Sequence, residues 1–222
     1  MAMKVCVLYS GGKDSNLALL KAREEFEVSC LVTLSPKSEE SVVFHYPNTE
    51  LVKLQAESLG IPLIMKTCSD DEEGSLKALY DVLTKAKELY GVEGVVTGAI
   101  RSTYQATRFQ RICDDLGLWC FNPLWLRDEL SVLKEAIDLG FEIIFVRVAG
   151  VDASLLGRRL DEGIVERFSK MKGYLNPAGE GGEYETFVLW MPAFRRRIVV
   201  EDYEIVGGEF DATMIVRRAR LV

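Results

Sequence analysis

Residues Ser10-Gly11-Gly12-Lys13-Asp14-Ser15 stand between the apolar run Met3-Lys4-Val5-Cys6-Val7-Leu8-Tyr9 and the helix-forming stretch Asn16-Leu17-Ala18-Leu19-Leu20, so a glycine-rich turn joins a strand to a helix. A turn of this kind suits phosphate. The start of a helix leaves backbone N–H groups without partners and carries roughly half a positive charge, and glycines let an anion approach the backbone. Lys13 adds a mobile cation, while Ser10 or Ser15 could instead cap the helix. A Walker loop does not fit, because it would need glycine at Val7 and Ser or Thr at Asp14, and the chain has no Gly-x-Gly-x-x-Gly.

Working outward, strands and helices alternate. Val28 to Leu34 reads as a second strand, followed by polar Ser35 to Ser41 and apolar Val42 to Tyr46. Leu51, Leu54 and Leu59 form a helical stripe with Asn48 or Thr49 as the expected cap. Pro62 to Lys66 is a third strand, Leu76 to Tyr90 a long helix ending at Gly91, and Val92 to Thr97 a fourth strand closing on Gly98. Tyr104 to Leu116 is helical up to Gly117, and Leu118 to Phe121 is a short strand. This alternation predicts an α/β fold: a parallel sheet with helices on both faces and ligand at the carboxyl ends of the strands. The Ser10 loop, Ser35 to Asn48, and Thr97 to Ser102 would share that rim.

Leu130 to Leu139 adds a helix and Glu142 to Val148 a strand, after which the chain becomes loop-rich and arginine-rich. A helix near Ile164 to Met171 and strands at Phe187 to Trp190, Ile198 to Val206 and Thr213 to Ala219 complete the reading. It divides the chain into residues 1–126, the nucleotide-binding domain, and 127–222, a smaller C-terminal α+β domain for substrate.

A hydrophobic content of 48% over 222 residues supports a substantial core. No run of about eighteen apolar residues occurs and the N-terminus runs straight into a strand, so membrane span and secretory signal are not expected, and a cytoplasmic protein is. The five cysteines are scattered without a Cys-x-x-Cys pair and read as buried thiols. A net charge of −7 disfavours bulk nucleic-acid binding, and direct nucleic-acid binding is not expected. The oligomeric state is left open.

Gly179 to Thr186 sets three carboxylates, Glu180, Glu183 and Glu185, among glycines just before a strand. Such clustering is costly unless it meets solvent, a cation or a cationic substrate. The group could therefore hold magnesium, orient ammonia or contact a positively charged substrate, or form a solvated hairpin. Arg101, Gln105 and Arg108 are spaced to share one helix face toward the rim, either neutralising phosphate or facing solvent. Asp14 could bind magnesium or cap the helix. His45, the one histidine, could line the nucleotide pocket or simply stabilise its loop. Arg195 to Arg197 and Arg217, Arg218 and Arg220 read as solvated strand faces or as a docking surface.

Ser10 to Ser15 resembles the PP-loop of the N-type ATP pyrophosphatases, which split ATP into AMP and pyrophosphate. Together with Gly98-Ala99-Ile100-Arg101-Ser102-x-Tyr104-Gln105, Pro123-Leu124-Trp125, Leu156-Gly157-Arg158 and Gly-Glu-Gly-Gly-Glu-Tyr-Glu-Thr at 179–186, it makes nearly the whole chain similar to the diphthine–ammonia ligase family, in the compact form expected of archaea. The resemblance implies a Rossmann-like fold of the adenine nucleotide alpha hydrolase type. It also implies ATP and Mg2+ as cofactors, ammonia and translation elongation factor 2 as substrates, and an acyl-adenylate route to the amide. Ser10, Gly11, Gly12, Lys13, Asp14, Ser15 and Gly98 would bind nucleotide. Lys13, Asp14, Glu183 and Glu185 would act in catalysis, and Arg101, Gln105, Arg108, Glu180, Tyr184 and Thr186 would bind substrate. A PP-loop enzyme that modifies tRNA and a non-catalytic adenine-nucleotide-binding regulator are the alternatives; missing paired cysteines and the acidic balance count against the first.

Overall fold

The computed structural model describes residues 2–36, 48–69, 71–171 and 173–222. Strand β1 (Lys4–Leu8) enters the glycine-rich turn and helix α1 (Lys13–Glu25) leaves it. There follow β2 (Glu27–Pro36), a 3-10 turn (Thr49–Leu51), α2 (Val52–Leu59), β3 (Leu63–Cys68), α3 (Glu72–Tyr90), β4 (Gly94–Val96), α4 (Thr103–Leu116) and β5 (Trp119–Phe121). The five strands pair in parallel in the order β3-β2-β1-β4-β5. The chain builds outward from β1 to β3, then returns and builds the other way from β4. Between β1 and β4 the order reverses, and the loops after these two strands diverge to leave a crevice. The Ser10 loop and the Thr97–Ser102 turn flank it.

Period-two alternation explains the two cores. Val5 and Val7 point to one face of the sheet and Cys6 to the other. The Cys6 face packs Cys30, Leu79, Leu83, Phe109 and Ile112 beneath α3 and α4. All five cysteines remain thiols, with Cys120 half-buried and the others buried. The Val5 face carries α1 and α2.

The second part holds α5 (Glu129–Asp138), β6 (Glu142–Ala149), α6 (Glu162–Lys170), β7 (Tyr184–Trp190), β8 (Ile198–Gly207) and β9 (Asp211–Leu221). Its four strands form an antiparallel sheet, order β7-β6-β9-β8. Phe145, Val148 and Phe187 from this sheet join Leu17, Val5 and Val7 in one buried cluster, so the antiparallel sheet packs onto the α1 side of the parallel one.

Helix starts are written into the sequence. Asp71, Ser102, Asp128 and Asp161 accept hydrogen bonds from the first turns of α3, α4, α5 and α6. Gly91 and Gly117 end α3 and α4 in the left-handed conformation. Helix α1 differs. Gly12 stands at its cap position and no side chain of its own loop closes it.

Two expectations are corrected. Asn48 does not cap α2, because a 3-10 turn intervenes and Leu51 takes that place. Asn48, at φ 68°, instead accepts from Val216 N–H at 2.6 Å and donates to the Met214 carbonyl at 2.8 Å, tying the first part to β9. Arg101 does not share a helix face with Gln105 and Arg108, because the Ser102 cap starts α4 one residue after it. Val42 to Tyr46, with His45, lies outside the described residues.

Candidate active site

Beyond Leu8 the chain leaves the sheet, and the loop closes on itself. Ser10 Oγ lies 3.1 Å from Ser15 Oγ, and the Gly12 carbonyl accepts from Ser15 Oγ at 3.1 Å and Asn16 Nδ2 at 2.9 Å. Neither serine sits at the cap position. Tyr9 donates its hydroxyl to Asn16 Oδ1 at 2.5 Å, a buried contact that pins the strand end to the first helical turn. Gly11 adopts φ 82°, and a Cβ there would lie 2.6 Å from Gln55 Oε1. Gly98 has the same necessity from the opposite side: its Cβ would meet the Asp14 backbone carbon at 2.8 Å and Ser15 N at 2.9 Å. Glycine at 98 therefore lets the β4 turn close on the start of α1.

The late motif lands on this loop. Thr186 Oγ1 accepts the Lys13 N–H at 3.1 Å across 173 positions of sequence, supplying the cap that α1 lacks locally. Val188 donates its N–H to the Gly11 carbonyl at 3.0 Å, and Gln55 Nε2 bridges the Gly11 and Val188 carbonyls at 3.0 and 2.7 Å. Lys13, almost wholly buried, donates to the Ala178 carbonyl at 2.5 Å and Asp14 Oδ2 at 2.8 Å, and stands 5.2 Å above the Tyr184 ring. The cleft between these loops continues to an apolar end formed by Val32, Leu34, Leu79 and Phe109. A flat apolar ring fits such an end and phosphates the other.

Three carboxylates share the cleft with Lys13: Asp14, Glu180 and Glu185. Burial raises the proton affinity of Asp14, Lys13 opposes that shift, and Glu180 adds to it. Asp14 Oδ1 is buried with no hydrogen-bond partner. Burial pushes the Glu185 carboxyl up to about 8 against the pull of Arg147. Burial also raises the Tyr184 phenol well above its ordinary value, and its hydroxyl donates to the Pro177 carbonyl at 2.5 Å.

Of the residues singled out in the sequence, Ser10, Gly12, Lys13, Asp14, Ser15, Gly98, Gln105, Glu180, Tyr184, Glu185 and Thr186 line this one cleft. Gly11 lies behind it. Glu183 does not line it: its carboxylate accepts the N–H groups of Asn176 at 2.9 Å and Gly181 at 3.0 Å and so staples its own loop. Arg101 forms an ion pair with Glu129 at 3.0 Å. Arg108 binds Glu72 at 2.5 Å and stacks 3.3 Å over the Tyr104 ring, away from the cleft. Gln55, Phe109 and Arg147 were not found from sequence. Gln55 alone gave a sign, as a polar side chain on the stripe Val52, Ala56 and Leu59 that the helix buries.

A glycine-rich loop opening an uncapped helix, at the reversal point of a parallel sheet, defines a nucleotide site of the Rossmann-like class. Residues 3–120 match the family described as diphthamide synthase N-terminal domain, and residues 128–222 match its C-terminal domain. The diphthine–ammonia ligase of Rattus norvegicus is 34% identical over 99% of this chain and 91% of its own. That of Homo sapiens is 32% identical over 95% and 87%, and that of Schizosaccharomyces pombe 35% identical over 92% and 37%. A solved structure of a tRNA methyltransferase subunit from Methanocaldococcus jannaschii overlays with a TM-score of 0.48 at 17% identity, covering 86% of this chain and 98% of that one. The chain belongs to the diphthine–ammonia ligase family, ATP-dependent ligases that form carbon–nitrogen bonds. Among the described residues no helix is long and apolar enough to cross a membrane.

Proposed function

We propose that this protein amidates the carboxylate of diphthine on translation elongation factor 2 with ammonia, in the cytoplasm, as the last step of diphthamide synthesis. The observation that carries the reading is the meeting of the two loops at Lys13: the phosphate loop is completed by Thr186 and Ala178 of the segment that resembles this family most specifically.

A carboxylate resists attack by an amine because it is anionic and its oxygen leaves poorly. ATP converts it to an acyl-adenylate, with pyrophosphate leaving first and AMP second. Ser10, Gly12 and Ser15, with the N–H groups at the start of α1, would receive the departing pyrophosphate beside Lys13. Lys13 enters the reaction already oriented by Asp14 and Ala178, so little reorganisation is needed as charge develops. Gly98 lets the β4 turn exclude water from that side. The apolar end at Val32, Leu34, Leu79 and Phe109 would take the adenine.

Among the described residues no cluster of three or more His, Cys, Asp or Glu side chains is arranged to hold a metal. A magnesium ion carried on ATP needs no such cage, since it keeps several waters and takes one or two carboxylates besides phosphate oxygens. Asp14 fits that role through its buried, unpartnered Oδ1. Magnesium would supply charge neutralisation at the phosphates.

The test is to incubate the protein with ATP, ammonium and elongation factor carrying diphthine. AMP and pyrophosphate should appear in step with the acid-to-amide mass change. ADP and phosphate would overturn the adenylate route, and AMP formation indifferent to diphthine would overturn the substrate.

A further inference from the structure

The three glutamates of the late loop are not equivalent. Glu180 Oε2 accepts the N–H groups of Ile100 at 3.3 Å and Arg101 at 3.0 Å, clamping the loop to the β4 turn. Glu183 staples Asn176 and Gly181. Among the described residues no hydrogen bond reaches the Glu185 carboxylate, although it lines the same cleft as Lys13 and Asp14. It stands one residue before Thr186, whose hydroxyl oxygen holds the start of α1. The other polar groups there are engaged: Lys13 with Asp14 and Ala178, and Tyr184 with Pro177.

A largely buried carboxylate without donors is costly to keep ionised, and the cost is relieved by a proton or a small cation. The charged groups around it are Arg147, opposite it in register on β6, and Lys13, Asp14 and Glu180 within the cleft. Arg147 is itself drawn toward Asp211 at 3.7 Å.

Resting on the ligase reading, we propose that Glu185 is a catalytic residue that receives ammonium and takes its proton, releasing ammonia beside the activated carboxyl carbon. At neutral pH ammonia is almost wholly ammonium, which has no lone pair to attack with. The Glu185 oxygen accepts one N–H proton, and the freed nitrogen pair forms the C–N bond. The C–O bond to AMP then breaks with its electrons on the phosphate oxygen, and the nitrogen sheds its second proton to water. An ordinary carboxylate is too weak a base for this transfer; with its affinity raised to about 8 by burial, Glu185 brings the exchange much closer to balance.

Hydroxylamine, neutral at pH 7, separates proton removal from everything else. With diphthine-bearing elongation factor and ATP, amide and hydroxamate formation are compared for wild type and Glu185→Gln. The ammonia-driven rate should fall about 100-fold or more while the hydroxylamine-driven rate falls less than about fivefold. An equal fall in both rates, or none in either, overturns the assignment. Should Glu185→Gln fail to bind ATP, Glu185→Asp is read by the same ratio: selective loss of the ammonia rate supports the role, and equal loss refutes it. If wild type yields neither product, the ligase reading itself fails, whatever the variants do.

Discussion

Ser10–Ser15 and Gly179–Thr186 are both glycine-rich and both carry charge, yet they are held in different ways. The first is local. Its contacts run between Ser10, Gly12, Ser15 and Asn16, within one turn of where β1 ends, and they leave the start of α1 open toward the crevice. The second is assembled from afar. Glu183 folds the loop onto itself, Glu180 reaches the β4 turn, and Thr186 reaches Lys13. A phosphate loop needs only the ends of a strand and a helix, so evolution can place it in many proteins. The late loop has its shape only when both sheets are packed, and it suits a single second substrate.

The largest expected break in this contrast is Lys13→Ala. It removes the cation at which the loops meet, and loss of one preorganised charge-stabilising group costs about 3 to 4 kcal/mol, a fall of roughly 10²- to 10³-fold in AMP formation. Glu183→Ala should act on the late loop alone. Two N–H groups lose their acceptor, which costs about 1 to 3 kcal/mol locally, read as faster amide hydrogen exchange at 176–182 with α1 still protected. The smallest effect is on pH dependence. Glu185 keeps its proton in the folded state up to about 8 but loses it near 4.5 when unfolded, so its contribution is full below 4.5 and fades as pH rises toward 8. The nucleotide-free protein should lose up to about 1.4 kcal/mol per pH unit across that window, and Glu185→Gln should flatten the slope in urea unfolding.

Much of the parallel sheet was legible because its signals are local. Gly91 and Gly117 end helices as expected, and Ser10–Ser15 joins β1 to α1. The misplacements have one physical cause. Asn48 looked like a helix cap and Arg108 like a phosphate ligand because both residue types do those things, but each found a better partner from a distant segment: Asn48 in β9, Arg108 in Glu72 and the Tyr104 ring. Glu183 and Glu185 looked alike two positions apart, and only their surroundings distinguish them.

The sequence by itself determined the strand–loop–helix at Ser10–Ser15, the parallel alternation of elements and the family to which the chain belongs, since these rest on short-range periodicity, turn chemistry and motif order. Tertiary structure decided which groups remain available for chemistry. Hydrogen-bond partners such as Thr186 for Lys13, and burial such as that of Glu185, depend on contacts between residues far apart in the chain, and no local pattern encodes them.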